Sequence, residues 1–152
     1  MLRHAQSAGK QSTQGDYDRD LTSEGAAKAK ALGQKLKKEK INIDLILSSG
    51  AARARRTVWF LNETLQLTEE KIQFETELYD AILIEWIDQI HKLPDDVHVV
   101  MVAGHNPAIS MLATNFHNAI VDLGPGELIA FEFNVNSWAE IANSGKEILN
   151  IK

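Results

Sequence analysis

Short apolar runs that end in small or polar residues alternate along this chain with longer stretches whose apolar residues recur every three or four positions. Few folds accommodate that alternation, because a period of two marks a strand and a period near 3.6 marks a helix. Residues 43–48 are almost unbroken apolar, as expected of a strand buried on both faces, and the stretch behind them reads as a helix over 52–65. Residues 97–103 are the clearest strand, with His98 inside it and Gly104 ending it. Asn106 is placed as an N-cap and Pro107 as a first helical residue, so a short helix is expected over 108–115. Upstream, Thr22 is the N-cap of a helix with Glu24 in its first turn. Ala26, Ala29, Leu32, Gly33 and Leu36 share one face of that helix. Lys35, Lys37, Lys38 and Lys40 gather near its carboxyl end, where they oppose the dipole.

The remaining segments follow the same alternation. A loop is expected over 9–20, a short strand over 71–74, and a helix over 78–92 carrying Leu78, Ile82, Trp86, Ile87 and Ile90 and ending before Pro94. Gly124-Pro125-Gly126 signals a turn before a strand over 128–133. A short helix over 138–142 and a strand over 147–151 close the chain. The expected architecture is α/β, a three-layer sandwich whose central sheet is mostly parallel. Residues 1–152 suffice for a single domain with one covered sheet. The chain has no cysteine, which excludes a disulfide framework, a thiolate nucleophile and a thiolate metal site. A formal net charge of −5 argues against nucleic acid or an anionic membrane as partner. No apolar run is long enough to span a bilayer and the first residues do not form a secretory signal, so a cytoplasmic location is expected.

Chemistry enters through residues at strand ends. Ligands of such sheets bind beyond the carboxyl ends of strands, and His4, Arg53 and His105 each follow an expected strand. Arg3 beside His4 supplies a second guanidinium that cannot lose its proton, a natural phosphoryl clamp. A neutral imidazole is a good nucleophile. The helix after Asn106 would present its free N–H groups at the same edge. Two arginines, two histidines and a helix start together suit a dianion, phosphate above all. A metal is disfavoured, since adjacent arginines repel a cation. Arg55 and Arg56 are expected on the rim, and His91, His98 and His117 in structural or exposed positions.

Four segments carry a further likeness: Leu2-Arg3-His4-Ala5, Arg19-Asp20-Leu21-Thr22-Ser23-Glu24-Gly25, Ser48-Ser49-Gly50-Ala51-Ala52-Arg53-Ala54 and Gly104-His105-Asn106-Pro107. In this order the chain resembles the histidine phosphatase superfamily, and most closely its SixA-like phosphohistidine phosphatases. The resemblance implies a phosphoglycerate mutase-like fold and a metal-independent hydrolase with no cofactor, working through a phosphohistidine intermediate. His4 is then the nucleophile, and Arg3, Arg53 and His105 hold the phosphoryl oxygens, joined by Asn106 at the helix start. The resemblance also implies a carboxylate acid after the second arginine. Glu77, Asp80 and Glu85 are available there, and Asp80 is the chosen one. The expected substrate is phosphohistidine in a protein, such as a histidine-phosphotransfer domain, or a small phosphorylated metabolite. The alternatives are a phosphosugar phosphatase or mutase, and a phosphate-binding module without turnover. Only Met1 and Leu2 precede Arg3, so the expectation is either a truncated start or a very short first strand.

Overall fold

The computed structural model describes residues 1–9 and 15–152. Six strands form one sheet: β1 (Leu2–Arg3), β2 (Leu45–Ser49), β3 (Ile72–Glu75), β4 (Val100–Gly104), β5 (Leu128–Glu132) and β6 (Lys146–Ile151), in the order β3-β2-β4-β1-β5-β6. The pairings among β3, β2, β4 and β1 are parallel, whereas β5 runs antiparallel to both β1 and β6. The sheet is therefore mostly parallel, as the alternating pattern predicts.

Helices α1 (Ser23–Lys38), α2 (Ala52–Leu65), α3 (Leu83–His91) and α4 (Ala108–His117) cover it on two sides. Alternation along β2 and β4 explains why both read as continuous apolar runs. Ile46 and Met101 face one core, with Leu2, Leu32, Leu36, Val58 and Leu61. Leu47 and Val102 face the other, with Trp86, Ile109, Leu112 and Phe116. A strand covered on both faces needs apolar side chains at every position. Leu2 has no exposed surface, so its truncation to alanine would cost about 2–5 kcal/mol and would loosen the strand that presents His4.

Helix α1 starts as expected. The Thr22 hydroxyl accepts from Gly25 N at 3.0 Å, and Lys35, Lys37 and Lys38 occupy the last turn. Several boundaries differ from the sequence reading, each for a local reason. Helix α3 begins at Leu83 rather than Leu78, because the chain first makes a 3-10 turn over Thr76–Leu78. Its new start is fixed by Glu85, whose carboxylate accepts from Ile82 N at 2.8 Å. Strand β4 begins at Val100, not Val97, since the His98 and Val99 amides are taken by the Asp44 carboxylate at 3.0 and 2.9 Å. Residues 138–142 give only one 3-10 turn, Trp138–Glu140. Of the loop expected over 9–20, residues 10–14 lie outside the described residues.

Candidate active site

Register brings the two histidines together. Strands β1 and β4 are parallel neighbours with Arg3 opposite Gly104, so His4 and His105 each leave the sheet one residue later, side by side. The His4 amide donates to the Gly104 carbonyl at 3.0 Å, and the two ring centroids stand 5.0 Å apart. Gly104 permits this closeness to the layer beneath, for a Cβ there would lie 2.7 Å from the Trp86 ring.

The partners of His4 define its tautomer. Its Nδ1 lies 2.7 Å from the Ala5 carbonyl, which can only accept, so Nδ1 carries the proton. Its Nε2 accepts from Arg53 Nε at 3.2 Å and holds the lone pair. Burial pushes the His4 pKa down to about 4, the Ala5 hydrogen bond opposes this, and the Arg53, Arg3 and Arg19 charges add to the depression. At neutral pH the ring is uncharged and nucleophilic at Nε2.

Arg53 reaches this place because α2 starts directly after the β2 end, and it is buried. Besides His4, its guanidinium donates to the Asp16 carbonyl at 2.7 Å and to Asp16 Oδ2 at 3.0 Å. The Thr57 hydroxyl, one turn on, donates to the Arg53 carbonyl at 2.7 Å and accepts from Ala5 N at 2.9 Å. One buried threonine thus joins α2 to the loop behind His4. Gly50 lets the loop carrying Asp16 press against the start of α2: a Cβ there would lie 2.5 Å from the Tyr17 hydroxyl, and Ala52 N donates to the Tyr17 carbonyl at 2.9 Å.

His105 Nε2 is 2.8 Å from Ser49 Oγ, while its buried Nδ1 has no hydrogen-bond partner among the described residues. Burial, then the neighbouring His4 and Arg53, push its pKa down to about 3. A negative charge brought beside the ring would raise its proton affinity again. Arg3 donates from Nη1 to the Leu123 carbonyl at 2.7 Å, and its buried Nε has no partner among the described residues. Asn106 shares that carbonyl, donating from Nδ2 at 3.1 Å, and its Oδ1 accepts from the Ser110 hydroxyl at 2.7 Å. Its side chain does not cap α4, which starts after Pro107 without a side-chain cap.

Three residues without an expected role join the site. Asp16 Oδ2 accepts from the Tyr79 hydroxyl at 2.7 Å, and Oδ1 pairs with Arg19 Nη2 at 3.2 Å. The Tyr79 hydrogen bond, then the Arg53 and Arg19 charges, hold the Asp16 carboxyl below its usual range against the effect of burial. Tyr79 also sets its ring edge-on to His105 at 5.5 Å. Asp80, the next residue, is exposed and makes no hydrogen bond or ion pair among the described residues. Arg55 and Arg56 lie on the rim as expected: Arg55 rests over Phe74, and Arg56 pairs with Asp20 and lies 4.6 Å over Trp59. His91 and His117 are structural, bonded to the Ile141 carbonyl and to Glu147, and His98 is exposed.

Comparison with known proteins places this geometry in context. Residues 1–86 match the model of the histidine phosphatase superfamily (branch 1). The uncharacterized protein MT1313 of Mycobacterium tuberculosis is 31% identical over 112 residues, which is 74% of this chain and 67% of that protein. An Agrobacterium tumefaciens structure, solved as a candidate phosphohistidine phosphatase SixA, is 31% identical over 74% of this chain and 71% of its own, with a TM-score of 0.70. A Nakamurella multipartitia structure of the same description superposes at a TM-score of 0.85, covering 99% of this chain and 92% of its own at 23% identity. The fold is thus the SixA-like, phosphoglycerate mutase-like form that the four motifs imply.

Proposed function

Since this chain belongs to the histidine phosphatase superfamily (branch 1), we propose that it hydrolyses a phosphoryl group through a phosphohistidine formed on His4. The carrying observation is the pairing of a lone pair with waiting donors. His4 Nε2 is unprotonated, while the buried Arg3 Nε and His105 Nδ1 have no hydrogen-bond partner among the described residues. Unpaired buried donors are costly, and an oxyanion at this strand edge would satisfy them.

In the first step His4 Nε2 bonds to phosphorus as the bond to the leaving atom breaks, and the leaving group departs with its electron pair and takes up a proton. Water then attacks the phosphohistidine, releasing phosphate and restoring neutral His4. Arg3 and Arg53 neutralise the equatorial oxygens, and His105 takes up a proton as the dianion raises its affinity. Such prearranged charge is the main source of rate in phosphoryl transfer.

The leaving-group proton points to the substrate class. Asp16 is the one carboxylate hydrogen-bonded to the site's arginines and Tyr79 among the described residues, and its three donors keep it ionised. It is therefore a poor acid. Asp80 carries that role for ester substrates in our assignment. A phosphohistidine whose other ring nitrogen is protonated departs as a neutral imidazole, taking the P–N electron pair with it, and needs neither carboxylate, which favours a phosphorylated protein over a phosphosugar. Replacing His4 by alanine tests the reading: turnover of an aryl phosphate and of a phosphohistidine peptide should both vanish, and retained turnover of either would refute it.

A further inference from the structure

The outer face of α2 carries a compact group of cations and aromatic rings just beyond the site. Arg53 opens the helix and is buried, whereas Arg55 is exposed and Arg56 half-buried. The Arg55 guanidinium lies 5.4 Å from the ring centre of Phe74 on β3. That of Arg56 lies 4.6 Å from the Trp59 ring centre and 5.0 Å from the Phe60 ring centre. Trp59 is four positions after Arg55 and three after Arg56, the spacings that make neighbours on one helical face. It is 51% exposed and Phe74 is 39% exposed, so much of this aromatic surface stays in water.

A guanidinium resting on a ring face keeps its in-plane N–H donors turned outward while its long side chain is held in place, so it can meet a carboxylate at little entropic cost. Both arginines are mounted in this way. Arg55 has no ion pair among the described residues. The Arg56 pair with Asp20 spans 3.4 Å between two exposed side chains, a weak tie that another carboxylate can replace. Arginine and tryptophan are also the residue types that most often carry binding energy at protein interfaces. The surrounding charge adds a constraint. With a formal net charge of −5 the molecule as a whole repels an acidic partner, so a local cationic group fixes where and in what orientation an acidic segment can approach.

We propose that Arg55, Arg56 and Trp59 dock a short acidic segment beside the phosphorylated residue of a substrate protein, an inference that rests on the phosphatase reading and narrows its substrates to sites flanked by carboxylates. Distance favours a polypeptide over a small metabolite. Trp59 lies six residues beyond Arg53, about 9 Å along the helix axis, a span that about three extended residues cover. Carboxylates of the segment would pair in the plane of the two guanidiniums, and one of its apolar side chains would cover Trp59. Two arginines without a longer basic run suit a few carboxylates better than a nucleic-acid backbone, whose binding grows with the number of phosphates neutralised.

The test uses two fluorescent peptides of equal length, each carrying a non-hydrolysable phosphonate analogue of phosphohistidine. One has glutamates on both sides of the analogue and the other has glutamines. Fluorescence anisotropy at low ionic strength should show the glutamate peptide bound about tenfold more tightly, a preference that fades as salt is added. In the double variant Arg55→Gln, Arg56→Gln the two affinities should fall within about twofold of each other, while the thermal midpoint and kcat/KM on an aryl phosphate stay at wild-type values. Trp59→Ala, which removes a ring from beside Arg56, should lower the preference partway. Equal binding of both peptides by the wild-type protein, or an undiminished preference in either variant, would overturn the proposal. So would a short oligonucleotide that binds more tightly than the glutamate peptide. The probes cannot turn over, so selective binding by a protein that hydrolyses no phosphoryl group would refute the phosphatase reading alone.

Discussion

Arg53 Nε donates to His4 Nε2 across 3.2 Å, so the residue that would clamp the phosphoryl group also aims the lone pair that would attack it. The same guanidinium is held from behind by Asp16. A lysine cannot make the fork that spans both partners. Arg53→Lys is expected to lower kcat/KM by about 10²–10³ with little change in thermal midpoint, measured on an aryl phosphate.

Acidity should destabilise the fold in a defined window. His4 and His105 have folded pKa values depressed to about 4 and about 3, below the 6.5 of an unperturbed imidazole. Between those values the unfolded chain binds protons that the folded chain does not, so stability is fully present above pH 6.5 and falls as pH drops toward 4. His4 alone contributes roughly 3 kcal/mol to that slope. Denaturant midpoints from pH 7 to 4 should show it, and His4→Gln should flatten the slope.

Anion binding should carry a proton with it. If the dianion is what protonates His105, phosphate or tungstate binding near pH 6.5 takes up a proton, and the binding enthalpy will depend on the buffer's ionisation enthalpy. In His105→Asn that dependence should shrink. Equal buffer dependence in both proteins would count against His105 as the site of uptake.

Thr57 offers a stability test away from the chemistry. Thr57→Val removes the acceptor for Ala5 N and leaves a buried N–H unpaired. The expected cost is about 1–3 kcal/mol, read from urea unfolding, with a larger fall in kcat than in substrate affinity because the His4 loop loses its tie to α2.

The carboxylates separate by substrate. Asp80→Asn should slow hydrolysis of an alkyl phosphate, whose leaving group needs a proton, by about tenfold or more. It should leave a phosphohistidine peptide unaffected. Tyr79→Phe removes the hydroxyl that holds Asp16 and should weaken both reactions alike.

These outcomes also mark where the sequence was readable. His4 and His105 lie one residue past adjacent parallel strands, and Arg53 opens the helix behind β2, so the alternation of strand and helix was enough to converge them. Asp16, Arg19 and Tyr79 sit in connections, where no period reports which side chain turns inward. Tyr79 follows the 3-10 turn over Thr76–Leu78, which brings its hydroxyl to Asp16, a contact no helical period announces. Asn106 had the type and spacing of a cap, but the Leu123 carbonyl and Ser110 hydroxyl claim its side chain. The pull of Asp44 on the chain before β4 joins residues 54 and 55 positions apart and leaves no local trace.

The most direct test is to quench the protein during turnover of a ³²P-labelled substrate and map the label. Acid-labile phosphate on His4, carried at nitrogen ε2, lost on chasing with water and absent in His4→Ala, is the predicted result. Label on another residue, or steady hydrolysis with no label on His4 at any quench time, would contradict the account.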